Sequence, residues 1–359
     1  MSRRIASVAL AVAIGAAGLL VGTASLADAS GPTIAQLIGQ KLMVRMDGTT
    51  ASASLLGRIR RGEIGGVILF GQNVVDATQV RALTTQLHDA AIAGGQPRLL
   101  IAVDQEGGSI KRIPWAPPTL SPPQMGKIGS TTTARSQGSA TGAALRDLGI
   151  DIDLAPVADV PFSTSSFLYQ QGRTWSFDSS KTAWLSWAFA QGLETGGVVP
   201  VMKHFPGLGF ATKNTDTTVV GIHQSISALN PGLQPYRVGI RYGLPMVMLS
   251  NATYPAWDSV HPAGWSYAIG TTLLRTQMGF HGVTITDSLD GTAAARGMTT
   301  AHLALRACQA GTDMLLLTGS ESSSAGVYAS LVKAATAGQI SLSRLRASWT
   351  RIQVLKAGG

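Results

Sequence analysis

The polar residues best suited to chemistry in this 359-residue chain sit where short apolar runs end. In order, those ends read Asp104-Gln105-Glu106, Asp159, Lys203-His204, Ser250-Asn251 and Asp287. The set holds carboxylates, a lysine and a histidine, with no cysteine and no histidine cluster. It suits metal ligation poorly, and no metal or other cofactor is expected. It suits sugars well: carboxylates accept hydrogen bonds from hydroxyls, Lys and Arg donate them, and two acid groups can supply the nucleophile and proton donor of glycoside cleavage.

Each residue also has a plainer use. Asp287 could cap a following helix, Asp104 could be satisfied by backbone amides, and Arg112, Arg173, Lys203 and His204 could be solvated surface charges. A site requires elements that draw them together. Apolar runs at 65–70, 99–104, 152–157, 198–203, 246–250, 283–287 and 314–317 read as strands, and 80–93, 136–147, 183–195 and 300–310 read as helices. This alternation predicts parallel βα units with both sheet faces covered. Seven or eight units predict an α/β fold, a single-domain (β/α)8 barrel, with a doubly wound open sheet as the alternative. In a barrel, groups at the carboxyl ends of the strands converge on one pocket.

Arg3 and Arg4 precede an apolar run over 5–21, and Ala27-Asp28-Ala29 offers small residues where a signal peptidase reads. Residues 1–29 are therefore expected to be a signal peptide and 30–359 the barrel domain. The mature chain is expected to be secreted, with no stable membrane span. A net charge of +9 favours anionic surfaces such as cell-wall polymers. The basic residues are scattered singly without interleaved aromatics, which argues against nucleic acid. Cys308 is alone and lies in an apolar stretch, as a small buried hydrophobe would.

Gly65 to Phe70 with Asn73, Asp104-Gln105-Glu106-Gly107-Gly108 with Arg112, Asp153 to Asp159, Arg173 before Ser176-Phe177, Lys203 to Gly209, Thr286 to Asp290 and Ala310 to Met314 occur in that order. Together they resemble glycoside hydrolase family 3, in its single-domain β-N-acetylhexosaminidase branch, over about residues 33–350. The resemblance implies a retaining double displacement with Asp287 as nucleophile. It also implies sugar binding by Asp104, Arg112, Arg173, Lys203 and His204, and no catalytic role for Glu106. Trp175, Trp257 and Trp265 could stack on sugar rings or simply pack.

The chain departs from that branch at several positions. Leu208 stands where a His is usual, and Asn214-Thr215-Asp216 replaces the Asp-Ser-His triplet that supplies its acid/base. Asp216 is thus the candidate acid/base, ahead of His223, provided burial or a neighbouring charge holds its proton. Asn251 stands where a His is frequent and cannot titrate, and Gly291, where Met is common, is expected to enlarge the pocket. The expected activity is an exported, exo-acting β-N-acetylglucosaminidase that cleaves terminal N-acetylhexosamine from peptidoglycan fragments. The alternatives are a β-glucosidase, a glycoside phosphorylase, or a non-catalytic cell-wall carbohydrate-binding protein.

Overall fold

Eight short parallel strands form a ring in the computed structural model, which describes residues 31–358; the expected signal segment lies outside the described residues. The strands are β1 (Leu42–Arg45), β2 (Gly66–Ile68), β3 (Leu100–Val103), β4 (Ile152–Asp153), β5 (Val199–Phe205), β6 (Met246–Leu249), β7 (Val283–Thr286) and β8 (Leu315–Leu317). From β1 to β7 each strand pairs with the next, and β1 pairs with β8. The ring closes where Ile285 bridges Met314 in parallel. The open-sheet alternative fails at this seam.

Alternation of side chains explains why such short strands suffice. Met43, Ile68, Leu100, Ala102, Met246, Met248, Ile285 and Leu316 form one buried cluster inside the barrel. Their neighbours Leu42, Val44, Val67, Ile101 and Leu317 belong to another, packed with the surrounding helices. Three of the four expected helices begin earlier than their apolar periodicity suggests because polar caps set the start, while the fourth spans 300–310 as expected. Asp76, Ser130 and Asp178 each accept a backbone N–H bond in the first turn of Ala77–Ala93, Thr131–Asp147 and Ser179–Thr195. The strand β1 was not predicted: four residues containing Met and Arg carry little β signal alone.

Buried charges brace the side of the barrel away from the strands' carboxyl ends. Lys41 Nζ donates to Thr312 O at 2.7 Å and Ser348 Oγ at 3.0 Å, and Lys356 Nζ to Gln40 Oε1 at 2.6 Å and Gly65 O at 3.0 Å. Cys308 is buried. Asp313, fully buried just before β8, ties the closing seam together. Its carboxylate accepts from the Thr284 amide at 2.9 Å, Ser348 Oγ at 2.9 Å, Arg351 Nη2 at 2.7 Å and the Arg275 guanidinium. Removing one member of such a network strands the others. Asp313→Ala is therefore expected to cost about 3–5 kcal/mol of stability, measured by chemical denaturation; a loss below 1 kcal/mol would show that the seam does not depend on this carboxylate.

Candidate active site

A cavity of about 260 Å³ opens at the carboxyl ends of the strands. Its floor is the top of the barrel interior, Ile68, Leu154, Met248 and Leu316, and its polar wall includes Asp104, Glu106, Arg112, Arg173, Lys203, His204, Asp216 and Asp287. Every candidate site residue thus lines one space.

One side is a buried ion cluster. Lys203 Nζ lies 2.7 Å from Asp104 Oδ1 and 2.7 Å from Glu106 Oε1. Arg173 grips Glu106 with two parallel bonds, Nε to Oε2 and Nη2 to Oε1, each 2.8 Å. Burial pushes the Glu106 carboxyl up, but Arg173 and Lys203 outweigh it and hold the value down to about 2. Burial likewise opposes the Lys203 ammonium, and Asp104 and Glu106 raise its pKa nonetheless. Arg112 lies 3.6 Å from Asp104 Oδ2 and over the Phe70 ring at 5.6 Å. Glu106 is therefore a fixed counter-ion with both oxygens engaged.

Lys203 and His204 are consecutive in β5, where alternation would send them to opposite faces, yet both line the cavity. The pairing of β5 with β6 slips between Met202 and Phe205, and an irregularity of this kind re-aims side chains. Asp159, fully buried, then fixes the turn. It accepts from His204 Nδ1 at 2.8 Å, from the His204 amide at 3.1 Å and from the Leu208 amide at 2.5 Å. With Nδ1 committed, His204 has only Nε2 left for other partners.

Opposite the cluster stand two acids. Asp287 follows β7, its amide bonded to Leu249 O at 3.0 Å, and one carboxylate oxygen accepts from the Ser288 amide at 2.8 Å. Asp216 sits on the loop after β5, its amide bonded to Asn214 Oδ1 at 2.9 Å. Asn214 therefore holds the Asp216 backbone rather than orienting its carboxyl. Burial first, and then the charge of Asp287, push Asp216 up to about 7, against weaker opposition from His204 and Arg173. Asp216 Oδ1 is buried without a hydrogen-bond partner, as is Asn251 Oδ1. Protonating Asp216 would turn one of its oxygens into a donor.

Residues 33–355 match the Glycosyl hydrolase family 3 N terminal domain. The chain belongs to glycoside hydrolase family 3. It is 33% identical over 344 residues to a secreted glycosyl hydrolase of Arthroderma benhamiae, covering 93% of this chain and 97% of that one. It is 32% identical over 284 residues to a beta-hexosaminidase of Methylobacillus flagellatus, covering 77% and 79%. Among solved structures, a beta-N-acetylhexosaminidase from Beutenbergia cavernae superimposes with a TM-score of 0.83 at 32% identity, over 91% of this chain and 99% of the other. This family 3 chain is a glycoside hydrolase.

Several sequence expectations change in the family 3 barrel. The Asp104 segment, the only one of the resemblance to fold back on itself as a hairpin, turns at Gly107 and Gly108, with φ of +94° and +62° and with Pro118, Leu120 and Ser121 as close neighbours. Gly291 does not enlarge the pocket, because the space beside its Cα is taken by Asp216. His223 is exposed and outside the lining. The three tryptophans do not line the cavity: Trp175 is buried with Nε1 donating to Val157 O at 2.7 Å, Trp265 is buried with the Arg296 guanidinium 5.6 Å from its ring, and Trp257 packs near Tyr254. Phe70 and Phe167 supply the aromatic surface instead.

Two buried acids beside the cavity residues were not among the candidate site residues. Asp159 was visible only as one more acid at the end of an apolar run. Asp153 was visible only as the first residue of the segment 153–159; its complete burial beside the cluster, which raises it to about 8, was not.

No helix among the described residues is long and apolar enough to cross a membrane, and no three or more His, Cys, Asp or Glu residues there are grouped so as to hold a metal ion. The electrostatics give a direct test. Burial and the negative charge of Asp287 both disfavour the ionised form, so Asp216 is expected to titrate near pH 7 in carboxyl-carbon NMR. Asp287→Asn removes one of these effects and must move that titration down; no movement would mean the two carboxyls do not face each other. Since the folded value lies above the unfolded one, the contribution of Asp216 to stability is complete below the ordinary carboxylate range and is lost as pH rises through about 7.

Proposed function

We propose that this family 3 hydrolase is an exported, retaining, exo-acting β-N-acetylglucosaminidase. Relatives named beta-hexosaminidases support the sugar class. The observation that carries the mechanism is the pair of acids in unequal surroundings. Asp287 accepts an amide bond from Ser288 at the end of β7, whereas Asp216 is buried and pushed up to about 7. A carboxyl that keeps its proton near neutrality, facing a second acid across the cavity, is suited to be the proton donor beside a nucleophile.

In the first step an Asp287 oxygen bonds to the anomeric carbon, the glycosidic C–O bond breaks, and the Asp216 proton passes to the departing oxygen. In the second, Asp216 takes a proton from water while that water displaces Asp287. Asp104, Lys203, Arg112, Arg173 and His204 hold the sugar's hydroxyl and N-acetyl groups. A cavity of about 260 Å³ falls just below the ~300–1,000 Å³ usual for drug-sized ligands, which suits one terminal sugar ring. After giving up its proton, Asp216 would repel phosphate, which favours hydrolysis over phosphorolysis. The segment 1–29 and the secreted relative support export, and the +9 charge supports action on anionic cell-wall material such as peptidoglycan fragments.

Asp287→Asn is expected to lower kcat/KM on 4-nitrophenyl β-N-acetylglucosaminide by about 10³-fold or more; unchanged turnover would remove Asp287 as nucleophile. Asp216→Ala is expected to slow chitobiose hydrolysis by about 10²–10⁴-fold but to spare a dinitrophenyl glycoside, whose leaving group needs no proton. Equal slowing of both would contradict the acid/base assignment. Saturable sugar binding by the wild-type protein without any cleavage would favour the binding-protein reading.

A further inference from the structure

Gly291 is the third residue of the helix Leu289–Ala295, which starts two residues after Asp287. Glycine is a poor helix former and loses much chain entropy there, so the position needs a reason. A Cβ built on Gly291 would stand 2.6 Å from Asp216 O and 3.3 Å from Asp216 Cβ. The first distance is far inside van der Waals contact, and its partner is backbone, which cannot swing aside like a side-chain tip.

The loop is also held from its own side. Asn214 Oδ1 accepts the Asp216 amide at 2.9 Å, the Thr218 amide donates to Asn214 O at 3.0 Å, and Thr215 between them is buried. Retreat of Asp216 would break this turn and expose Thr215. The helix is fixed as well: Asp290, next to Gly291, accepts from the Thr318 amide at 2.7 Å and from Thr300 Oγ1 at 3.1 Å.

We propose that Gly291 is a positioning residue for Asp216: the missing side chain lets the acid-bearing loop rest directly on the helix after Asp287, and so sets the Asp216 carboxyl over the cavity opposite the nucleophile. Position 291 then helps determine whether a carboxylic acid on this loop can serve as proton donor. The inference rests on the assignment of Asp216 as acid/base. It adds that the residue at 291 and the acid at 216 act as one unit.

The test compares Gly291→Ala, Asp216→Ala and the double variant on chitobiose and on a dinitrophenyl β-N-acetylglucosaminide. Gly291→Ala is expected to lower kcat/KM for chitobiose at least tenfold more than for the activated glycoside. It should also move the basic limb of the chitobiose pH profile down, as Asp216 becomes solvated. In the Asp216→Ala background the same substitution should cost nothing further on chitobiose, since effects acting through one group do not add.

An unchanged substrate ratio and pH limb in folded Gly291→Ala, while Asp216→Ala discriminates between the substrates, would overturn the positioning role and leave the acid/base assignment standing. Failure of Asp216→Ala itself to discriminate would instead overturn the assignment. If Gly291→Ala alone does not fold, pairing it with Asn214→Gly frees the Asp216 amide and lets the loop withdraw. The substrate ratio is then compared with that of Asn214→Gly alone: a further tenfold loss specific to chitobiose supports the role, and an equal ratio, or a pair that still does not fold, overturns it.

Discussion

The ammonium of Lys203, buried at the carboxyl end of β5, is held by two carboxylates from the segment after β3, and the shape of the cavity depends on that contact. A lone charge in that position would be expelled or neutralised. Here Lys203, Glu106, Arg173 and Asp104 satisfy one another, so segments following β3, β4 and β5 are locked at fixed separations before any ligand arrives. Glu106 anchors the group because both of its oxygens are occupied and its pKa is held low. Asp104 is less enclosed and keeps a carboxylate oxygen on the cavity side with Arg112. The result is a rigid set of donors and acceptors, which lets binding proceed without ordering loose side chains.

The same economy of contacts separates the two acids. Asp287 is at the end of a barrel strand whose hydrogen bonding to β6 leaves it little freedom. Asp216 is on a loop that the barrel does not itself position. Its amide is bonded to Asn214, the adjacent Thr215 is buried, and its backbone lies directly against Gly291. In the proposed mechanism Asp216 is the proton donor, and the ordinary pKa of a carboxyl is too low to donate near neutrality. Burial and the neighbouring Asp287 raise it. The proposed role is therefore tied to the backbone that buries this carboxyl.

Much of this was legible in the sequence, for identifiable reasons. Apolar runs ending in Asp, Lys or Asn mark barrel strands because both faces of a parallel sheet are covered and the loops beyond carry polar groups. Asp104, Lys203, His204 and Asp287 could be collected from that rule alone. Strand β1 could not, since its four residues gain their conformation from pairing with β2 and β8. Three helix starts were misplaced by three to five residues, although Asp76, Ser130 and Asp178 were visible cap types, whereas the helix expected over 300–310 is observed there. The roles of Asp159 and Asp153 depend on burial and on partners dozens of residues away, and no local pattern encodes either. Gly291 looked like lost volume; only the folded backbone reveals what fills it.

In the proposed reaction Asp287 and Asp216 act from opposite faces of a single sugar, one as nucleophile and the other as acid/base. This division is tested most directly by giving the Asp216→Ala protein sodium azide together with an activated β-N-acetylglucosaminide and determining the anomeric configuration of the product by proton NMR. Azide entering where the Asp216 carboxyl was should intercept a glycosyl-enzyme on Asp287, restore turnover and yield the β-glycosyl azide. An α-glycosyl azide, or no azide product and no recovery of rate, would contradict the account.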